Sequence, residues 1–155
     1  MSQPSATSPL FDLLREHRTG ALVTLKKDGR PQLSNVSFAY DESSRTIRIS
    51  VTDDRAKTRN LRRDPRASFY VTTPDMGAYL VAEGEAELTP AAADPHDATV
   101  EELIEVYRAV AGEHPDWDEY RAAMVADRRL VVRLRVDRAY GWGRTQGATS
   151  GAVED

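Results

Sequence analysis

The 155-residue sequence predicts an α+β, mainly β fold: a six-stranded antiparallel β-barrel with peripheral helices. Three observations lead there. Runs rich in β-branched and aromatic residues recur with period-two alternation, which sends successive side chains to opposite faces. Short, turn-bearing links join successive runs, favouring antiparallel pairing, and a closed or nearly closed sheet removes exposed edges. Segments of helical period sit at the start, middle and late portions of the chain.

Ser8-Pro9 followed by Leu10, Leu13, Leu14 and His17 reads as a helix, with Ser8 as N-cap, Pro9 in the first turn and Gly20 at its end. GALVTLKKDGRPQLSNVSFAY holds two β-rich runs around a Lys27-Asp28-Gly29 turn. In the second run Val36, Phe38 and Tyr40 point one way, Asn35 and Ser37 the other. TIRISV alternates Ile47, Ile49 and Val51 against Arg48 and Ser50. A helix is then expected from Arg55 to about Arg63, with Asp53 or Asp54 as N-cap and Asp64-Pro65 ending it.

ASFYVTT is the next strand, PDMG a turn, and AYLVAEGEAEL a long strand. Its Leu80, Ala82, Ala86 and Leu88 share one face; Glu83, Glu85 and Glu87 share the other, as a solvated or interface surface opposite Arg133 and Arg135. Thr99 with Glu102 reads as a capping box before Leu103, Ile104, Tyr107 and Val110, and Gly112 stops that helix. Asp116 with Glu119 opens another, whose Trp117, Tyr120 and Met124 are core contacts. In RLVVRLRVD, Leu130, Val132, Leu134 and Val136 turn inward. Residues 1–8 are expected as a flexible leader, 9–144 as one domain and 145–155 as a disordered tail.

With 21 Lys+Arg against 25 Asp+Glu, the net charge of −4 argues against a generic nucleic-acid surface. No apolar run reaches the length of a membrane span. The absence of cysteine excludes disulfides and thiolate metal sites and fits a cytoplasmic protein. His17, His96 and His114 lie too far apart, in dissimilar settings, to predict a metal centre. Neither a Gly-rich phosphate loop nor a nucleophile elbow is present.

Against that acidic background, TDDRAKTRNLRRDPR concentrates Arg55, Lys57, Arg59, Arg62, Arg63 and Arg66, opposed after Arg55 only by Asp64. Local sequence leaves two readings open: a solvated helix face, or a seat for an anion. Cations in a first helical turn oppose the helix dipole at roughly 0.3–1 kcal/mol each. An anion bound to the free backbone N–H groups removes that conflict, and phosphate is the obvious one. Asn60 shares the face of Lys57.

The strand order, the DGRPQLSNV hairpin, the strand ending in ISV, then DRAKTRNLRRDPRAS and YLVAEGEAEL resemble the pyridoxamine-phosphate-oxidase-like split β-barrel family, from about Leu10 to Trp142. More narrowly, they resemble its branch that binds the deazaflavin coenzyme F420. The resemblance implies a homodimer with cofactor sites at the subunit interface and a small-molecule substrate. It implies that Arg55, Ala56 and Lys57 hold the coenzyme phosphate with Asn60 nearby. Gln32, Asn35, Val36 and Ser50 would line the deazaflavin and its ribityl chain, while Tyr79 and Arg129 reach the cofactor from the partner subunit. Gly77 departs from relatives that carry a bulky aromatic there, which leaves the substrate side more open. The activity implied is hydride transfer from reduced F420 to a conjugated organic acceptor, with no catalytic side chain assigned. FMN chemistry on the same fold, and a non-enzymatic F420 carrier, are the alternatives. Trp142 either packs under the barrel or borders the substrate pocket.

Overall fold

The computed structural model describes residues 9–143, so the leader with Ser8 and the tail fall outside the described residues. A 3-10 turn, Pro9–Phe11, runs into a short helix α1, Asp12–Glu16, and buries Leu10, Phe11, Leu13 and Leu14. His17 is already extended, and Gly20 lies within β1, Thr19–Leu25, rather than ending the helix. A Cβ on Gly20 would stand 2.7 Å from the Phe69 ring, so glycine is needed there for close packing. The turn to β2, Pro31–Ser37, is the expected one: the Gly29 N–H donates to Lys26 O at 2.9 Å, and Gly29 takes a φ of 87°.

The second β-rich run is two strands. β2 stops at Ser37, and β3, Ala39–Asp41, begins after Phe38. Phe38 and Ala39 are both buried, facing different cores, so strict alternation breaks at a corner. The sheet therefore has seven strands where periodicity suggested six. The others are β4, Thr46–Thr52; β5, Arg66–Thr72; β6, Tyr79–Leu88; and β7, Arg129–Trp142. Every pairing is antiparallel, in the order β2-β1-β5-β6-β7-β4-β3. One residue separates the two edge strands in sequence, which requires the sheet to curl into a split barrel. Inside lie Leu22, Phe38, Ile47, Ile49, Phe69, Leu80, Leu130 and Leu134, all at 0% exposure.

A second core covers the outside of that sheet. Helices α3, Ala98–Ala111, and α4, Trp117–Ala126, press Val100, Leu103, Ile104, Val106, Tyr120 and Met124 against Ala39 and Val131. This explains why Val131 is buried although it points away from the barrel interior. Asp97, not Thr99, caps α3, accepting from the Val100 N–H at 2.9 Å. The helix starts before Thr99, whose hydroxyl donates to Pro90 O at 2.9 Å instead. Asp116 caps α4 as expected, accepting from the Glu119 N–H at 3.1 Å. Glu102 leaves its supposed capping role for the sheet: Arg133 Nε donates to it at 2.9 Å, and Arg48 lies 3.6 Å away. The glutamates of β6 meet the arginines of β7 in register, Glu85 opposite Arg135 and Glu87 opposite Arg133. No helix of the described residues is long and apolar enough to cross a membrane.

The β6–β7 register shifts at Glu83/Gly84. A Cβ on Gly84 would fall 1.9 Å from Arg135 O, so the bulge admits only glycine. Gly84→Ala is expected to cost about 1–3 kcal/mol and lower the thermal midpoint; an unchanged midpoint contradicts this close approach. Glu102 also titrates informatively, because its hydrogen bond from Arg133 outweighs burial and holds its pKa below the ordinary 4.5. A depressed carboxylate stabilises the fold above its unfolded pKa and loses that contribution as pH falls through the folded one. Thermal midpoints measured from neutral to acid pH should therefore fall less steeply for Glu102→Gln, which starts lower at pH 7; parallel profiles would contradict the pairing.

Candidate functional site

β4 delivers the chain into helix α2, Ala56–Arg63. The expected Asp cap is not used. Arg55 occupies the N-cap position without a side-chain cap bond, and Asp53 instead holds Arg62 and Arg128. The helix therefore starts at Ala56, with its cap position one residue past Asp54 and two past Asp53. Thr58 Oγ1 donates to Thr52 O at 2.7 Å, and Arg55 Nε donates to Thr52 Oγ1 at 3.2 Å, fixing the helix start to the end of β4. Among the described residues the N–H groups of Ala56 and Lys57 have no protein acceptor, as the geometry of a helix start dictates.

Three-dimensional packing sorts the basic run. Arg62 is spent on Asp53, Arg66 pairs with Asp64 at 2.8 Å, and Arg63 donates to Leu25 O at 2.6 Å and to Asn60 Oδ1 at 2.9 Å. Arg55 and Lys57 remain turned toward a cleft of about 680 Å³, and a third cation, Arg129 from β7, joins them. Arg129 Nη1 lies 3.2 Å from Ser50 Oγ, so this side chain stands in the cleft of its own chain. Burial, then the charges of Arg55 and Arg129, push the Lys57 ammonium below the ordinary lysine pKa. Like charges gathered beside free amides repel one another until an anion sits among them.

Asn35, Val36 and Ser50 line the same cleft, so six of the expected residues share it: these three with Arg55, Lys57 and Arg129. Ala56 lies between Arg55 and Lys57 at the helix start. Gln32 and Asn60 sit behind the cleft in one chain of bonds: Asn60 Nδ2 donates to Thr24 Oγ1 at 3.1 Å, and Thr24 Oγ1 donates to Gln32 Oε1 at 3.1 Å. Thr24 and Asn60 are buried, so this network pins α2 to β1 and β2. Tyr79 is elsewhere on the sheet, opposite Thr72 and Trp142, with its ring 5.9 Å from Tyr70. Gly77 occupies the turn before it, its N–H donating to Asp75 Oδ1 at 2.9 Å. Trp142 is 40% exposed on that outer surface and does not line the cleft.

Sequence reasoning missed eleven of the seventeen residues that line the cleft. Val106, Tyr107 and Val110 of α3 and Tyr120 and Met124 of α4 form a wall, and Ser34 and Asp127 also border the space. An aromatic stripe on a late helix has the same pattern whether it faces core or cleft, so the one available signal was ambiguous. Two buried cleft atoms, Ser34 Oγ and Arg129 Nε, have no partner among the described residues. Buried polar atoms are ordinarily paired, so a polar, anionic ligand suits this donor set.

The family model described as pyridoxamine 5'-phosphate oxidase matches residues 7–143. A conserved hypothetical protein from Mycobacterium tuberculosis has a similar structure at 24% identity and a TM-score of 0.71, covering 100% of this chain and 98% of that one. An F420 reductase is similar at 28% identity and a TM-score of 0.59, over 83% of this chain and 93% of its own. A heme-binding protein from Mycobacterium smegmatis is similar at 23% identity and a TM-score of 0.65, over 98% of this chain and 60% of that one. The curled antiparallel sheet and the family match agree along essentially all the described residues, and the chain belongs to the pyridoxamine 5'-phosphate oxidase family.

Proposed function

We propose that this protein is a homodimeric reductase that uses reduced coenzyme F420 to reduce a conjugated organic acceptor. The observation that carries this reading is the convergence of Arg55, Lys57 and Arg129 on one cleft at the start of α2, where the Ala56 and Lys57 N–H groups have no acceptor among the described residues. In this reading Arg55 and Lys57 bind the coenzyme phosphate by charge-assisted hydrogen bonds, and Arg129, steadied on Ser50, adds positive potential. Asn35, Val36 and Ser50 orient the ring and its ribityl chain. Gln32 and Asn60 act through Thr24, holding the helix start in place. Bound there, reduced F420 supplies the hydride, and the protein supplies binding, orientation and electrostatics.

The likeness to an F420 reductase at 28% identity supports the choice of coenzyme. The family's own description favours a second reading, an FMN-dependent oxidase or reductase whose phosphate takes the same seat. In the dimeric reading Tyr79, which lies outside its own chain's cleft on an outer strip with Tyr70 and exposed Trp142, reaches the coenzyme of a second copy.

Separate fluorescence titrations with F420 and FMN should show clear preference for F420; equal or reversed affinity overturns the coenzyme assignment. Replacing Arg55 and Lys57 together by alanine should weaken binding by about 3 kcal/mol or more, at roughly 1.5–3 kcal/mol per charged contact. Unchanged affinity returns both side chains to a solvated face. Sedimentation should give a dimer, and Tyr79→Ala should weaken coenzyme binding; a monomer that binds F420 at full affinity is incompatible with a shared site.

A further inference from the structure

The cleft has two chemically different ends. Arg55, Lys57 and Arg129 make one of them. Asp127, the acid on the lining, also borders a neighbouring hollow with Arg55 and Arg129, so it belongs to that polar end. The other end is the helical wall: Val106, Tyr107 and Val110 with Tyr120 and Met124, and no charged side chain. The polar tip of Tyr120 is turned away, its hydroxyl donating to Leu103 O at 3.2 Å, so its ring presents apolar surface.

Tyr107 is the rigid element of that wall. Its ring centroid lies 5.3 Å from His114, 5.7 Å from Trp117 and 5.0 Å from Tyr120, at interplanar angles of 60°, 81° and 61°. Edge-on contacts on this scale are the favoured aromatic geometry and hold a ring in place. His114 is itself held, its Nδ1 accepting the Asp116 N–H at 2.9 Å. The loop is held as well: Arg108 Nε donates to Glu113 at 2.8 Å, and Trp117 Nε1 donates to Glu113 at 3.2 Å. A charged group laid against this wall would lose water and find no partner, whereas a flat apolar ring loses nothing and gains contact.

Resting on the coenzyme reading above, we infer that the α3–α4 wall is the acceptor subsite and that Tyr107 sets its specificity, selecting a planar, uncharged, apolar ring system. The coenzyme phosphate occupies the cationic end and the acceptor the aromatic end. The face of the Tyr107 ring does the selecting, so its hydroxyl is dispensable and its size is not.

Methionine-methyl NMR on the full chain reads this without turnover. Met124 lines the wall, and Met76, 72% exposed in the β5–β6 turn, is an internal control. An uncharged naphthoquinone should shift the Met124 methyl and leave Met76 in place, with or without F420, and a sulfonated naphthoquinone should bind at least about tenfold more weakly. In turnover, Tyr107→Ala should raise the KM for the uncharged quinone by about tenfold or more while the F420 dissociation constant stays within about twofold; Tyr107→Phe should match wild type. Tyr107→Leu serves as a second variant that keeps apolar bulk without the ring, and should fall between the two. The proposal is overturned if Met124 does not respond, if the sulfonated quinone is preferred, or if Tyr107→Ala weakens F420 itself, since the wall would then hold the coenzyme. Failure of F420 to bind, with Met124 still responding to the quinone, sinks the coenzyme reading and leaves an apolar ring site. Tight F420 binding with an unaffected KM in Tyr107→Ala sinks the acceptor subsite alone.

Discussion

β2 and β3 stand at opposite ends of the hydrogen-bonded strand order, yet Phe38 alone joins them. A chain step of one residue cannot span an open seven-stranded sheet, so the sheet must curl until its edges meet. Phe38 secures the corner. Its ring is fully buried, meets Phe69 edge-on at 4.8 Å, and its N–H donates to Arg18 O at 2.9 Å. Closure is also what makes the cleft, because it brings residues 34–37 of β2 beside residues 50–52 of β4, where α2 begins.

On that frame the electrostatics become selective. The basic stretch looks uniform along the chain, but the fold gives three of its six cations internal partners. Asp53 takes Arg62, Asp64 takes Arg66, and Leu25 O with Asn60 takes Arg63. What stays directed at the cleft is the pair at the start of α2, reinforced by Arg129 from a strand more than seventy residues later. The site is thus a local excess of positive charge in an acidic protein, anchored from behind by the Gln32–Thr24–Asn60 chain, whose Thr24 and Asn60 are buried.

Alternating hydrophobicity was a good guide wherever a strand has one wet face: Ile47, Ile49 and Val51 in β4, or Leu130 to Val136 in β7, point inward as their spacing indicates. It misled where both faces are covered. Val131 is buried under the helices, and Phe38 and Ala39 enter different cores, a corner that periodicity cannot distinguish from a continuous strand. Cap chemistry was legible in position at Asp116 but only in kind at the starts of α2 and α3. Asp97 and Asp116 do cap helices, yet Thr99 and Asp53 found better partners in distant backbone and arginines. Gly20 looked like a helix stop because its real neighbour, Phe69, is brought in only by strand pairing.

From sequence alone came the β-rich class, the placement of the late helices, and a cation pair at the start of α2. All of these depend on neighbours within a turn or a strand, where spacing dictates geometry. Tertiary structure decided which arginines are neutralised, that Arg129 enters the cleft of its own chain beside Ser50, and that Tyr107 and Tyr120 form a wall rather than only core. Such choices turn on contacts between residues far apart in the chain, and only the curled sheet with its docked helices brings those residues within reach.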